Sequence, residues 1–167
     1  MDEKKIQQTM KETKQHIARV NEVGDIFTRK FKERLLLHDQ SKLEEPERTM
    51  FAKHTENLNQ LEYGTDDYEK EIEEMKKDCL NHHYENNSHH PEHFENGIYD
   101  MNLFDLLEMV CDWKAASERT KDGNFKKSLE INMKRFSIPE PLSSIILRSV
   151  ECFDDVSPRE DEEIWQK

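Results

Sequence analysis

The sequence predicts an all-α fold, a single helical domain of about seven helices over residues 1–153 followed by an acidic C-terminal tail over residues 154–167. Three observations carry this expectation. Apolar residues recur at three- and four-residue intervals through most of the chain, the spacing that lines one face of a helix. Glycine (four) and proline (five) are scarce among 167 residues, too few for the many turns of a strand-rich sandwich. Charged residues make up 37% of the chain, which suits long helices with solvated outer faces.

Ile6, Met10, Ile17 and Val20 set the stripe of a first helix over roughly 3–22. Gly24-Asp25 reads as a helix stop and a new N-cap, so a break is expected between Asn21 and Asp25. A second helix over about 25–38 places Phe27, Phe31, Leu35 and His38 on one stripe, with His38 facing inward. Pro46 opens a third helix, roughly 46–60, which carries Met50, Phe51, His54 and Leu58; His54 reads as a histidine without partners. Tyr63-Gly64-Thr65-Asp66 forms a turn and a cap. A fourth helix, roughly 66–84, ends in His82-His83, and Asn86-Asn87-Ser88 is a loop. Pro91 disfavours helical backbone at His90.

Asn102 caps a fifth helix over about 103–120. Leu103, Leu106, Leu107 and Val110 form its core face. Its other face sets Asp105, Glu108 and Asp112 among Met101, Phe104, Met109, Ala115 and Ala116. A solvated face would normally be filled with lysine, glutamate and glutamine. Carboxylates among apolar residues predict a helix buried on both sides, with its acids in a cleft. Two further helices come after it at about 124–136 and 139–153, and the chain shows no internal repeat.

The net charge of −12 repels a polymeric nucleic acid, and no basic block opposes it. Neither a long apolar span nor a secretory signal is seen, so no membrane partner is expected and the cytoplasm is the expected location. Cys79, Cys111 and Cys152 lie far apart without CxxC spacing, which disfavours a thiolate zinc site, and their apolar helical surroundings read as buried free thiols. A homodimer is allowed but not specified.

Chemistry concentrates in two places. His38-Asp39-Gln40-Ser41-Lys42 ends an apolar run, Leu35-Leu36-Leu37. Five of the eight histidines fall in the run His82-His83-Tyr84-Glu85-Asn86-Asn87-Ser88-His89-His90-Pro91-Glu92-His93-Phe94. Neutral imidazoles with carboxylates are what a divalent transition metal requires. A surface loop with incidental histidines is the bland alternative for the run, a dipole-favoured helix terminus for His38, and a salt-bridged helix for Asp105 and Asp112. The helical Asp112 joins the two segments in one hypothesis: a metal site that activates water. His16 and His38 would lie about 33 Å apart on one straight helix, so His16 joins the site only if the chain turns back near Gly24.

An early helical His, His-Asp-x-x-Lys after an apolar run, paired histidines and a helical Asp together resemble the HD-domain metal-dependent phosphohydrolase superfamily. His89-His90-Pro91-Glu92-His93-Phe94-Glu95-Asn96-Gly97, with Asp112-Trp113-Lys114-Ala115 after it, is similar to the His-His-Glu…Gly…Asp-x-x-Ala order of its multi-histidine branch. The chain also resembles an uncharacterised bacterial and phage family marked by HDxSK and HHPEHF. The superfamily resemblance covers about residues 16–116. Ser41 stands where glycine is usual, and the spacing from His16 to His38 is short.

The resemblance implies an HD-like helical domain with His38, Asp39 and Asp112 as central ligands and His16 as an early-helix ligand. His83, His89 and His90 become candidates for a second ion, with His82 against His83 left open. It implies one or two divalent transition ions, Fe, Mn, Co, Ni or Zn, with Mg allowed. Lys42 matches a lysine that faces substrate phosphate; Asp39, Lys42 and Glu45 are the candidate catalytic residues, and Glu108 is another carboxylate able to take a proton. Lys114, Arg119 and His93 are candidate substrate contacts. The expected function is hydrolysis of a nucleotide or other small phosphorylated metabolite. The rivals are a non-catalytic metal- or nucleotide-binding accessory protein that keeps the pocket, and an acidic helical interaction module whose histidines are structural.

Overall fold

The computed structural model describes residues 2–61, 65–118 and 124–155. Among them are seven α-helices and no strand. Their order is α1 (Glu3–Leu35), α2 (Glu47–Asn59), α3 (Asp66–Met75), α4 (Asn81–Asn86), α5 (Leu103–Ser117), α6 (Phe125–Arg135) and α7 (Leu142–Ser149). The all-α expectation holds, but the partition differs at two points.

The first is α1. Residues 3–35 form one unbroken helix, capped at its start by the Asp2 side chain. The break expected between Asn21 and Asp25 is absent. Glycine in a helix interior costs only about 1 kcal/mol, and the runs of Lys, Glu, Arg, Gln and Ala on either side outweigh it. His16 is therefore stranded. It sits exposed on α1, nineteen residues before Leu35, or about 28 Å along the axis. A Cβ at Gly24 would meet nothing within 4 Å. Gly24→Ala should therefore stabilise α1 locally by about 0.5–1 kcal/mol. Slower amide exchange between residues 14 and 28 would show it; faster exchange would mean that the glycine serves a purpose in the helix.

The second point is the predicted fourth helix, which is two α-segments joined through a π-helical turn, Lys76–Leu80. Such a turn inserts a residue into the α register and re-aims the residues beyond it, here the face carrying His83. Tyr63 and Gly64 of the predicted turn lie outside the described residues, and Thr65 caps α3 as expected.

The apolar core lies among α5, α6 and α7. Met109, Val110, Trp113, Leu129, Ile138 and Ile146 are buried there, with Ile98 from the turn Gly97–Tyr99. Leu103, expected in this core, is 56% exposed. The second face of α5 is buried as its composition suggested: Asp105 and Glu108 have almost no exposure. The C-terminal end of α1 packs here, with Phe27 and Phe31 stacked on Phe104 at 4.4 and 6.2 Å between ring centres. α2 packs against α3. His54 is fully buried and bonds Glu71 at 2.8 Å, which corrects its reading as partnerless. No described helix is long and apolar enough to cross a membrane.

Candidate metal centre

His38 and Asp39 lie just past the end of α1 in a tight turn. Asp39 adopts left-handed backbone, φ 56°, a conformation aspartate tolerates better than most residues. Entering that conformation reverses the chain into the 3-10 turn Gln40–Leu43, and both side chains reach one pocket. α4 supplies His83, and His89 and His90 come from the loop behind it. His90 is extended (φ −96°, ψ 128°) ahead of Pro91, as the proline required. Asp112 and Glu108 lie four residues apart on α5 and share a face.

The imidazole Nε2 atoms turn toward the aspartates. His83 Nε2 is 3.3 Å and His89 Nε2 3.5 Å from Asp39 Oδ1. His38 Nε2 is 3.5 Å from Asp39 Oδ2 and 3.7 Å from Asp112 Oδ1. His83 and His90 face each other Nε2 to Nε2 at 3.0 Å. Ligand atoms of Asp39, His83, His89 and His90 all fall within 4.8 Å of one another. The rings are packed, with centres 4.4 Å apart for His38–His89 and 4.1 Å for His89–His90.

Behind the histidines, their Nδ1 atoms meet buried carboxylates. Glu47, the first residue of α2, accepts from His83 Nδ1 at 2.9 Å, from His82 Nδ1 at 2.8 Å and from the Ser41 hydroxyl at 2.9 Å. Glu108 Oε1 accepts from His38 Nδ1 at 2.9 Å and lies 3.3 Å from His89 Nδ1. The other oxygen of Glu108 is held by Arg34 of α1, whose guanidinium also reaches Asp105 at 2.6 Å and Ser88 at 2.7 Å. A histidine that donates Nδ1–H to a carboxylate presents a bare lone pair at Nε2. The second grouping, His38, His89 and Glu108, also lies within 4.8 Å. Its contacts use the Nδ1 atoms, and Arg34 already occupies that carboxylate, so it is a support for the first group and not a second ion site.

This leaves acceptors pointed at acceptors. Asp39 Oδ1 and His89 Nε2 are buried without a hydrogen-bond partner. Such orphans cost about 1–3 kcal/mol each unless something satisfies them. A cation between them would do so, and the donor set of nitrogen and carboxylate oxygen suits a divalent transition ion. Electrostatics agree. Burial, together with neighbouring His89 and His83, lowers His90 to about 3, which keeps it neutral as a ligand must be. Hydrogen bonds with Asp112 and Glu108 push His38 up to about 9, so a bound cation would take the place of its Nε2 proton. Burial would raise Asp39, but His83 and Lys42 outweigh it and hold the carboxyl well below the usual carboxylate range.

The sequence-based candidates thus divide. His38, Asp39, His83, His89, His90 and Asp112 come together, and Lys42 touches the group by donating to Asp39 Oδ2 at 2.6 Å. Glu45 is exposed and engaged by Arg48 and Thr49. His93 is exposed and bonds the Tyr84 carbonyl. Lys114 pairs with Glu118 at 2.5 Å and lies over Phe125, because two residues beyond Asp112 is about 200° around the helix. These three and His16 stand apart from the cluster. Arg119 lies outside the described residues. His82 is a partner of Glu47, and its neighbour His83 is the one that faces Asp39. Glu108 is no free proton acceptor, since Arg34 and His38 occupy both its oxygens. Sequence reasoning missed Glu47 and Arg34. Arg34 lies one helical turn before His38, which is a usable signal; Glu47 has none.

Fold and cluster define an all-α protein in which histidines and an aspartate from separate segments are gathered into one group. The family model described as "Family of unknown function (DUF5662)" matches residues 5–153, and the chain belongs to that family. No curated protein and no solved structure matches it.

Proposed function

We propose that the protein is a metal-dependent phosphohydrolase of HD-like type, acting on a nucleotide or another small phosphorylated metabolite. One observation carries the reading: Nε2 atoms backed by Nδ1–carboxylate bonds face Asp39, with Asp39 Oδ1 and His89 Nε2 orphaned at the centre. His38, Asp39, His83, His89, His90 and Asp112 would hold one or two divalent ions. Such an ion supplies hydroxide from water at neutral pH and polarises a phosphoryl oxygen. Lys42 lies at the rim, about one-third exposed, with its ammonium over the Phe51 ring at 5.2 Å. From there it can leave Asp39 and meet phosphate as a point charge.

The test is a screen of the purified protein against nucleotides and phosphomonoesters with Mn²⁺, Co²⁺, Fe²⁺, Ni²⁺, Zn²⁺ or Mg²⁺ added, alongside metal analysis. Turnover with metal supports the reading. Bound metal with no turnover on any phosphoester favours the non-catalytic binding protein. The scarcity of cations at the rim supports that second reading: among the described candidates only Lys42 reaches the cluster, and it is paired there. Lys42→Ala separates metal binding from catalysis. It should keep wild-type metal content and lose about 10-fold or more in kcat/KM, because lysine is not a ligand here. Loss of metal in Lys42→Ala would show instead that its charge helps to hold Asp39 in place.

A further inference from the structure

None of the residues of α1 is buried, although the helix is 33 residues long. Among the described residues, its contacts with the rest of the chain lie at its C-terminal end, at Phe27, Phe31 and Arg34. Yet it carries an ordered and mostly apolar line, interrupted by Thr13 and Gly24: Ile6, Met10, Thr13, Ile17, Val20, Gly24, Phe27 and Phe31 succeed one another at alternating intervals of four and three. Met10, Ile17, Val20, Val23 and Ile26 remain about half exposed. A line kept in strict seven-residue register is the seam of a two-stranded coiled coil.

Charge indicates what covers it. Residues 3–35 hold nine Lys/Arg and five Asp/Glu, while the chain holds 25 and 37. The helix is therefore +4 and the remainder −16, which add to the chain's −12. A parallel pair of helices would bring two strongly acidic bodies to the same end. An antiparallel pair separates them and directs Lys4, Lys5 and Lys11 of each copy toward the acidic body of the other. The antiparallel register that centres near Ala18 also matches the side chains. It opposes Ile17 to the partner's Val20, Thr13 to the partner's Gly24, and Met10 to the partner's Phe27, which stays 43% exposed beside Phe104. Its flanking pairs, Lys14 with the partner's Asn21 and Thr9 with the partner's Lys30, bring no like charges together.

We infer that the protein is an antiparallel dimer in which the exposed apolar line of α1 docks on the same line of a second copy. The interface is isologous, as a two-fold axis requires. It is distinct from the metal cluster and does not rest on the reading of that cluster. It leaves one cluster at each end of the paired helices.

Sedimentation of the full chain at micromolar concentration tests this directly. The expected mass is twice the 20.1 kDa of one chain; a single-chain mass up to about 100 μM overturns the proposal. Ile17→Glu with Val20→Glu should give single chains with unchanged metal content, since both residues are exposed in one copy. A dimer that survives these changes also overturns it. Orientation is read from spin labels on Gln8→Cys in a Cys152→Ser background. Antiparallel helices place the two labels about 32 Å apart along the axis, from the 1.5 Å rise per residue. A parallel pair places them roughly one helix diameter apart, within about 15 Å, and that result would refute the arrangement.

Discussion

Asp39→Ala is expected to abolish metal binding, with a fall in affinity of at least about 100-fold, and any phosphohydrolase activity with it, while the helical circular-dichroism signal stays at the wild-type level. Asp39 is the group on which the cluster converges: His38, His83 and His89 all direct Nε2 at its carboxylate. Its charge, held ionised by His83 and Lys42 in spite of burial, is what would offset a dication in the cluster. Alanine also strains the left-handed backbone at φ 56°, at a cost of about 1–2 kcal/mol. Asp39→Asn separates the two effects, because asparagine tolerates that conformation and keeps the shape while losing the charge. Asn should therefore be as poor in metal as Ala but more stable. Metal content and activity at wild-type level in both variants would show that neither runs through Asp39 and would end the reading of this cluster as the metal site.

The helical fold is legible in the sequence because its signal is a period, and a period survives small local errors. Gly24 shows where that reasoning fails. Its identity reads as a stop, but its penalty of about 1 kcal/mol competes with the summed propensity of a long flanking run, and the run prevails. The error has a functional consequence, since the straight helix carries His16 away from the cluster. At α3 and α4 the opposite occurs: a single predicted helix contains a π turn, which leaves no trace in apolar spacing.

The residue types of the cluster are legible because imidazole and carboxylate rarely crowd together without a purpose. Lys114 is misplaced when proximity is counted along the chain and not around the helix. Glu108, four residues before Asp112, is on the right face, yet by sequence it reads as a free base. Its role depends on Arg34, 74 residues away, and no local pattern announces such a pairing. Glu47 is the clearest case. A glutamate in the first turn of a helix is common for reasons of the helix dipole alone, and only the fold shows it fully buried against His82 and His83.

Glu108→Ala should show that this support shell matters as much as the ligands. Glu108 is 3% exposed and joins three elements: Arg34 of α1, His38 from the turn after it, and His89 from the loop before α5. Its carboxyl is held below the usual range, burial being outweighed by hydrogen bonds from His38, His89 and Arg34. Breaking a buried pair by removing one partner costs about 3–5 kcal/mol. The loss here should be nearer to about 2–3 kcal/mol, because Arg34 keeps Asp105 and is partly exposed. Metal affinity should fall as well, by about 10–100-fold, since His38 and His89 lose the group that fixes their tautomer and ring orientation. Glu108→Gln retains the shape and one acceptor, so it should recover part of the stability but little of the affinity. Urea unfolding and a Co²⁺ titration measure the two effects separately. If Glu108→Ala unfolds within about 1 kcal/mol of wild type and binds Co²⁺ equally well, the histidines are held by packing alone, and the carboxylates behind them are bystanders.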